Sequence, residues 1–114
     1  MQSIEKVAVI GLDCAEPSLV FDRWIDHLPN IKRLMTGGTY GELTSCMPPI
    51  TVPAWSCMAS SKDPGTLVIY GFRNRADHSY DKLSIATSLA VKERRIWDIL
   101  TTAGKSSIVV GVPG

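Results

Sequence analysis

Two short apolar runs rich in β-branched residues constrain this chain more than any other feature. Val7-Ala8-Val9-Ile10-Gly11-Leu12 lies near the start, and Ser107-Ile108-Val109-Val110-Gly111-Val112 near the end. Continuous rather than alternating apolar runs suit strands buried on both faces, as in a parallel sheet. Such strands need crossovers that cover the sheet, and the sequence between them carries helical patterns. The expected order is β-α-α-(β)-α-loop-α-β, an α/β architecture with helices on the faces of the sheet.

The helical patterns have punctuation. Pro17 suits a first turn, and Leu19, Val20, Trp24, Ile25 and Leu28 repeat with helical period, which predicts a helix over 18–28. Pro29-Asn30 interrupts it. Ile31, Leu34 and Met35 mark a second helix closed by Gly37-Gly38. Residues 40–45 read as a short edge strand, and Met47-Pro48-Pro49-Ile50 as a loop, because two prolines forbid a regular ladder. Thr51-Val52-Pro53-Ala54-Trp55 opens a third helix, which Lys62-Asp63-Pro64-Gly65 stops. Residues 65–90 lack a period and read as a long polar loop, of the kind usually tied to function or mobility. Residues 91–100 predict a last helix, closed near Gly104. Trp24, Trp55 and Trp97 fall at helical positions and are expected in the core.

The chain has 114 residues, with 12 Lys and Arg against 11 Asp and Glu, a length that fits one domain. The balance of charge leaves no basic footprint for a nucleic acid polymer or an anionic membrane. No apolar run approaches the ~20 residues of a membrane span, and the first residues lack the basic start and long apolar stretch of a secretory signal. Three cysteines, Cys14, Cys46 and Cys57, match neither a zinc ribbon nor a C-x-x-C site and read as free thiols. The expected location is the cytoplasm. The second apolar run stops just before the chain does, where a covering helix is due. The expectation is that residues 1–114 are the N-terminal part of a longer catalytic domain.

Ligands of open α/β sheets gather outside the carboxyl ends of the strands. Asp13 follows the first apolar run directly, and a carboxylate there suits a divalent metal. Thr51 starts a helix, where free N–H groups and the helix dipole favour a phosphate and metal coordination would make its hydroxyl a nucleophile. The pair points to metal-assisted phosphoryl transfer. By spacing alone, an Asp after a strand is more often a turn or cap residue and a Thr before a helix usually only a cap. Arg73, Asn74 and Arg75 suit either a phosphate contact or a solvated loop. His27 reads as a surface residue, and His78 as a solvated loop residue.

Four segments, in order, resemble the type I phosphodiesterase/nucleotide pyrophosphatase family of the alkaline phosphatase superfamily. They are Val9-Ile10-Gly11-Leu12-Asp13, Leu28-Pro29-Asn30-Ile31-Lys32-Arg33-Leu34, Pro48-Pro49-Ile50-Thr51-Val52-Pro53-Ala54-Trp55 and Lys62-Asp63-Pro64-Gly65. The resemblance implies an incomplete alkaline-phosphatase-like sheet with helices on both faces. It implies two divalent metal ions, commonly zinc, with Asp13 and Thr51 as ligands. Thr51 would be the nucleophile that forms a phosphoenzyme, and Asn74 would contact the substrate. The substrate would be a small phosphorylated molecule: a phosphodiester or nucleotide pyrophosphate.

The residue after the metal Asp is often Gly in the family and is Cys14 here, a side chain expected to point away. The family's remaining ligands come from later in its chains, so the 114 residues alone are expected to be inactive and to self-associate through uncovered apolar edges. The alternatives are a non-catalytic anion-binding α/β module and a phosphosugar mutase of the same superfamily.

Overall fold

Regular structure in this protein forms where a segment can satisfy its own backbone. The computed structural model describes residues 4–77 and 79–113. The backbone divides into two units, Met1–Leu43 and Thr44–Gly114.

In the first unit, residues 7–12 are exposed and form no strand. Val7, Val9 and Ile10 each leave more than three-quarters of their surface to solvent. The expected buried strand is corrected here: a parallel strand needs neighbours for its ladder and a cover for both faces. Glu16 then caps the chain, accepting hydrogen bonds from the N–H groups of Ser18 (3.1 Å) and Leu19 (3.2 Å). The helix expected over 18–28 is broken. Ser18–Arg23 is a π-helical turn, in which Trp24 N–H reaches back to Leu19 O at 2.9 Å, and Ile25–His27 is a 3-10 turn. Neither turn has a buried residue, so no packing holds this stretch to α geometry. Helix α1, Pro29–Gly37, forms as expected with Pro29 in its first turn. Phe21 meets Tyr40 edge-on at 5.3 Å between ring centres. The edge strand expected over 40–45 is absent.

The second unit has the core. Helix α2, Thr51–Ser60, buries Val52, Pro53, Ser56, Ala59 and Ser60, a stripe at helical spacing. The Ser60 hydroxyl donates to the Ser56 carbonyl at 2.7 Å, so its burial leaves no orphan donor. Ser61 ends the helix in the left-handed region, with φ 58°. Asp63 caps the short helix α3, Pro64–Leu67, and Val52, Leu67 and Ile69 form the buried cluster.

The stretch expected as one loop carries α3 and a hairpin. Strand β1, Arg73–Arg75, pairs antiparallel with β2, Leu83–Ile85, so that Asn74 faces Ser84. His78 lies outside the described residues. Helix α4, Ile96–Thr102, starts five residues later than expected, because Asp98 Oδ2 accepts the Arg95 N–H at 2.8 Å and fixes Arg95 as the cap. Residues 107–112 form no strand, and Ile108 and Val110 are exposed. The tryptophans are not core residues: Trp24 is 49% exposed, while Trp55 and Trp97 are half-buried around a cavity of about 80 Å³. The architecture is mixed α/β with an incomplete sheet, which among the described residues is the β1–β2 hairpin.

Candidate functional site

Asp13 sits at the turn that ends the first apolar run. Its Oδ1 accepts the Cys14 N–H at 3.1 Å, an interaction that orients an exposed carboxylate. Cys14 has φ 59°, a left-handed backbone that favours glycine. A glycine would take up this backbone without strain. The Cys14 thiol turns toward the carboxylate instead of away from it, with Sγ 3.9 Å from Oδ1.

Thr51 is the first residue of α2 and is half-buried. Ile50 occupies the cap position, so the Thr51 hydroxyl is not committed to capping. The approach is a tight loop with a cis Met47–Pro48 peptide, in which Pro48 O accepts the Ile50 N–H at 2.9 Å. Ala54 N–H already bonds to Ile50 O at 3.0 Å, and Pro53 has no N–H. The first-turn donors left outside the helix ladder are therefore those of Thr51 and Val52. The side chains of Val52 and Pro53 are buried and anchor this end of the helix.

Asn74 is half-buried on β1. Its Oδ1 accepts the Tyr70 N–H at 2.8 Å, and its Nδ2 donates to Gly71 O at 3.2 Å. One Nδ2 hydrogen remains for another acceptor. A cleft of about 530 Å³ lies against β1, bordered among the described residues by Tyr70, Arg73, Asn74, Arg75 and Asp77. Arg75 is stacked over Tyr80, 4.7 Å from the ring centre. The structure brings Asn74 and the two arginines to one cleft, and Thr51 is not among its walls. His27 is exposed on its 3-10 turn.

The hairpin and the turn-closing role of Asn74 escape sequence reading. The available signal was an Asn three residues after Gly71, a pairing typical of turns.

The chain matches the type I phosphodiesterase / nucleotide pyrophosphatase family over residues 7–114. It belongs to that family, which is one of phosphodiester- and pyrophosphate-cleaving hydrolases. The match spans Asp13, Thr51 and Asn74. No curated protein sequence and no solved structure matches the chain. Among the described residues, no helix is long and apolar enough to cross a membrane.

A carboxylate and an alcohol are hard oxygen donors that suit a divalent cation. They are two donors, where firm zinc binding takes three or four. Among the described residues no three His, Cys, Asp or Glu side chains group to complete the set. Each of Asp13 and Thr51, taken by itself, is an oxygen donor of the kind a divalent-metal site uses.

Proposed function

We propose that this chain is the N-terminal portion of a metal-dependent hydrolase that cleaves phosphodiester or nucleotide pyrophosphate bonds through a phosphothreonine at Thr51. The observation that carries the reading is the position of Thr51. Within the family-matching segment, its hydroxyl stands uncommitted at the anchored end of α2, beside two N–H groups outside the helix ladder.

Thr51 Oγ1 attacks phosphorus and gives up its proton, the P–O bond to the leaving group breaks, and a phosphothreonine remains. Water then attacks the same phosphorus and releases Thr51. The N–H groups of Thr51 and Val52 face the negative charge of the phosphoryl group. The free Nδ2 hydrogen of Asn74 donates to a phosphate oxygen. In this reading Asp13 and Thr51 would be ligands of two divalent cations, supplied as zinc, which when bound would neutralise charge that develops during the transfer.

Two protein donors leave the metal short of ligands, so the 114-residue chain alone is inactive, and the remaining ligands come from outside it. A cytoplasmic location is part of the same proposal, supported by three cysteines whose spacing suits free thiols in a reducing compartment.

The test compares Thr51→Ala and Thr51→Ser in the longer chain, with bis(nitrophenyl) phosphate as substrate. Thr51→Ala should lower turnover by ~10³-fold or more, and Thr51→Ser should keep a measurable part of it. Acid-quenched wild-type enzyme should carry phosphate on the peptide that contains Thr51. Phosphate on another residue, or full turnover in Thr51→Ala, would sink the reading. Turnover by the 114-residue chain above its own Thr51→Ala control would contradict the inactivity of the fragment.

A further inference from the structure

We propose that the cleft beside β1 binds a phosphomonoester, with its dianionic phosphate between Arg73 and Arg75 and an apolar or aromatic body along the rest of the cleft. The alternation of a strand sets Arg73 and Arg75 on one face of the hairpin and Asn74 on the other. Their partners across the ladder, Ile85 and Leu83, share the face of the two arginines. Residues two apart on a strand are separated by roughly 6.8 Å, a span that one phosphate bridges when each guanidinium donates to it. Like charges so placed repel each other, and among the described residues neither arginine has an ion-pair partner. An anion between them removes the repulsion.

The surroundings leave both guanidinium forks to a ligand. Arg75 lies over the Tyr80 ring, 4.7 Å from its centre, a contact that uses the flat face of the guanidinium and holds its N–H edge ready for an acceptor. Asp77 also borders the cleft, but its carboxylate is turned to other groups. Its Oδ1 accepts the Ser79 N–H at 2.8 Å, and its Oδ2 lies 3.8 Å from Lys82 Nζ. With Asp77 balanced by Lys82, two positive charges face the cleft. A volume of about 530 Å³ suits an organic molecule and is far more than a bare phosphate fills. Val68, Tyr70 and Leu83 supply the apolar wall, and each leaves half or more of its surface open to a ligand. The inference does not rest on Thr51 as nucleophile: Thr51 is not among the walls, and the site is read by binding, without metal or turnover.

The experiment titrates the 114-residue chain with phenyl phosphate in a calorimeter, with a metal chelator present. Saturable binding at one site per chain is expected, tighter than that of inorganic phosphate and absent with phenol. Arg73→Gln and Arg75→Gln should each weaken it about tenfold or more, the scale of a lost hydrogen bond to a charged group. Arg33→Gln, at an exposed arginine of α1, should leave it unchanged. Arg73 and Arg75 are exposed, so their substitution spares the core, and near-ultraviolet circular dichroism checks this. Without any variant, phenyl phosphate should protect Arg73 and Arg75 from an arginine-selective dicarbonyl, read by peptide mapping. No saturable binding to the wild-type chain, equal affinity in the doubly substituted chain, an equal loss in Arg33→Gln, or no protection would overturn the proposal. Inorganic phosphate bound as tightly as phenyl phosphate would overturn the apolar part of the site.

Discussion

Asn74 and Tyr70 are tied by a 2.8 Å hydrogen bond in which the Tyr70 N–H donates to Oδ1 of Asn74. The side chain that the sequence suggested for a phosphate is thus a structural element of its own turn, with one donor left over. The two roles separate in Asn74→Asp. This variant keeps an oxygen for Tyr70 but has no N–H for a phosphate oxygen, and it adds negative charge. In the longer chain, turnover should fall by about 10²- to 10³-fold, the scale for one lost oxyanion donor, with the fold retained. Unchanged turnover would confine Asn74 to the turn.

Cys14→Gly should stabilise the chain. The left-handed region costs an L-residue roughly 1–2 kcal/mol, and glycine returns part of that gain through its greater freedom when unfolded. With φ 59° at Cys14, the expected net effect is about 0.5–1 kcal/mol in favour of the glycine variant, read as a higher urea midpoint. A lower midpoint would mean that the Cys14 side chain contributes more than its contact with Asp13 indicates.

Asp63 makes the start of α3 sensitive to acid. Its Oδ1 accepts the Thr66 N–H at 3.0 Å and its Oδ2 accepts the Thr66 hydroxyl at 2.7 Å. The Thr66 hydroxyl, then the Thr66 N–H, hold the carboxyl below its ordinary 3.8. A depressed folded-state pKa gives stability that is present above the ordinary value and lost as pH falls through the folded one. Glu16, Asp26 and Asp77 shift in the same direction, so several groups contribute to acid weakening. Asp63→Asn keeps an acceptor for the cap but cannot titrate, and should make the thermal midpoint fall less steeply below about pH 4. An acid limb identical to wild type would remove Asp63 from the account.

Exposed apolar backbone predicts self-association of the 114-residue chain. Ile4, Ile10 and Leu43 in one unit, and Ile108 and Val110 in the other, are largely exposed. Residues 7–12 and 107–112 lie outside any ladder, and unpaired strand-forming segments invite pairing with another chain. Light scattering should show mass rising with concentration, and Val9→Lys with Val110→Lys should reduce it. A monodisperse monomer at high concentration would count against this expectation.

Much of the helical structure was legible. Pro29 and Gly37-Gly38 bracket α1, and Thr51 to Lys62 contains α2, because proline, glycine and the apolar stripe act within a few residues. The stop before α4 was not legible. A run of helical residues from Val91 onward gives no warning that Asp98 will bind the Arg95 N–H and start the helix there. The hairpin was hidden for a related reason: Asn74 opposite Ser84 is a pairing across ten residues without an alternating pattern.

The chain's own residues sufficed to reveal its family, the ends of α1 and α2, and Asp13, Thr51 and Asn74 as candidates for chemistry. Tertiary structure decided the outcome for the two apolar runs, and for the side chains that the candidates touch. A helix closes its hydrogen bonds within one turn of itself, so local sequence can specify it. A strand closes them on another segment, and residues 7–12 and 107–112 stay irregular where no such partner is paired with them.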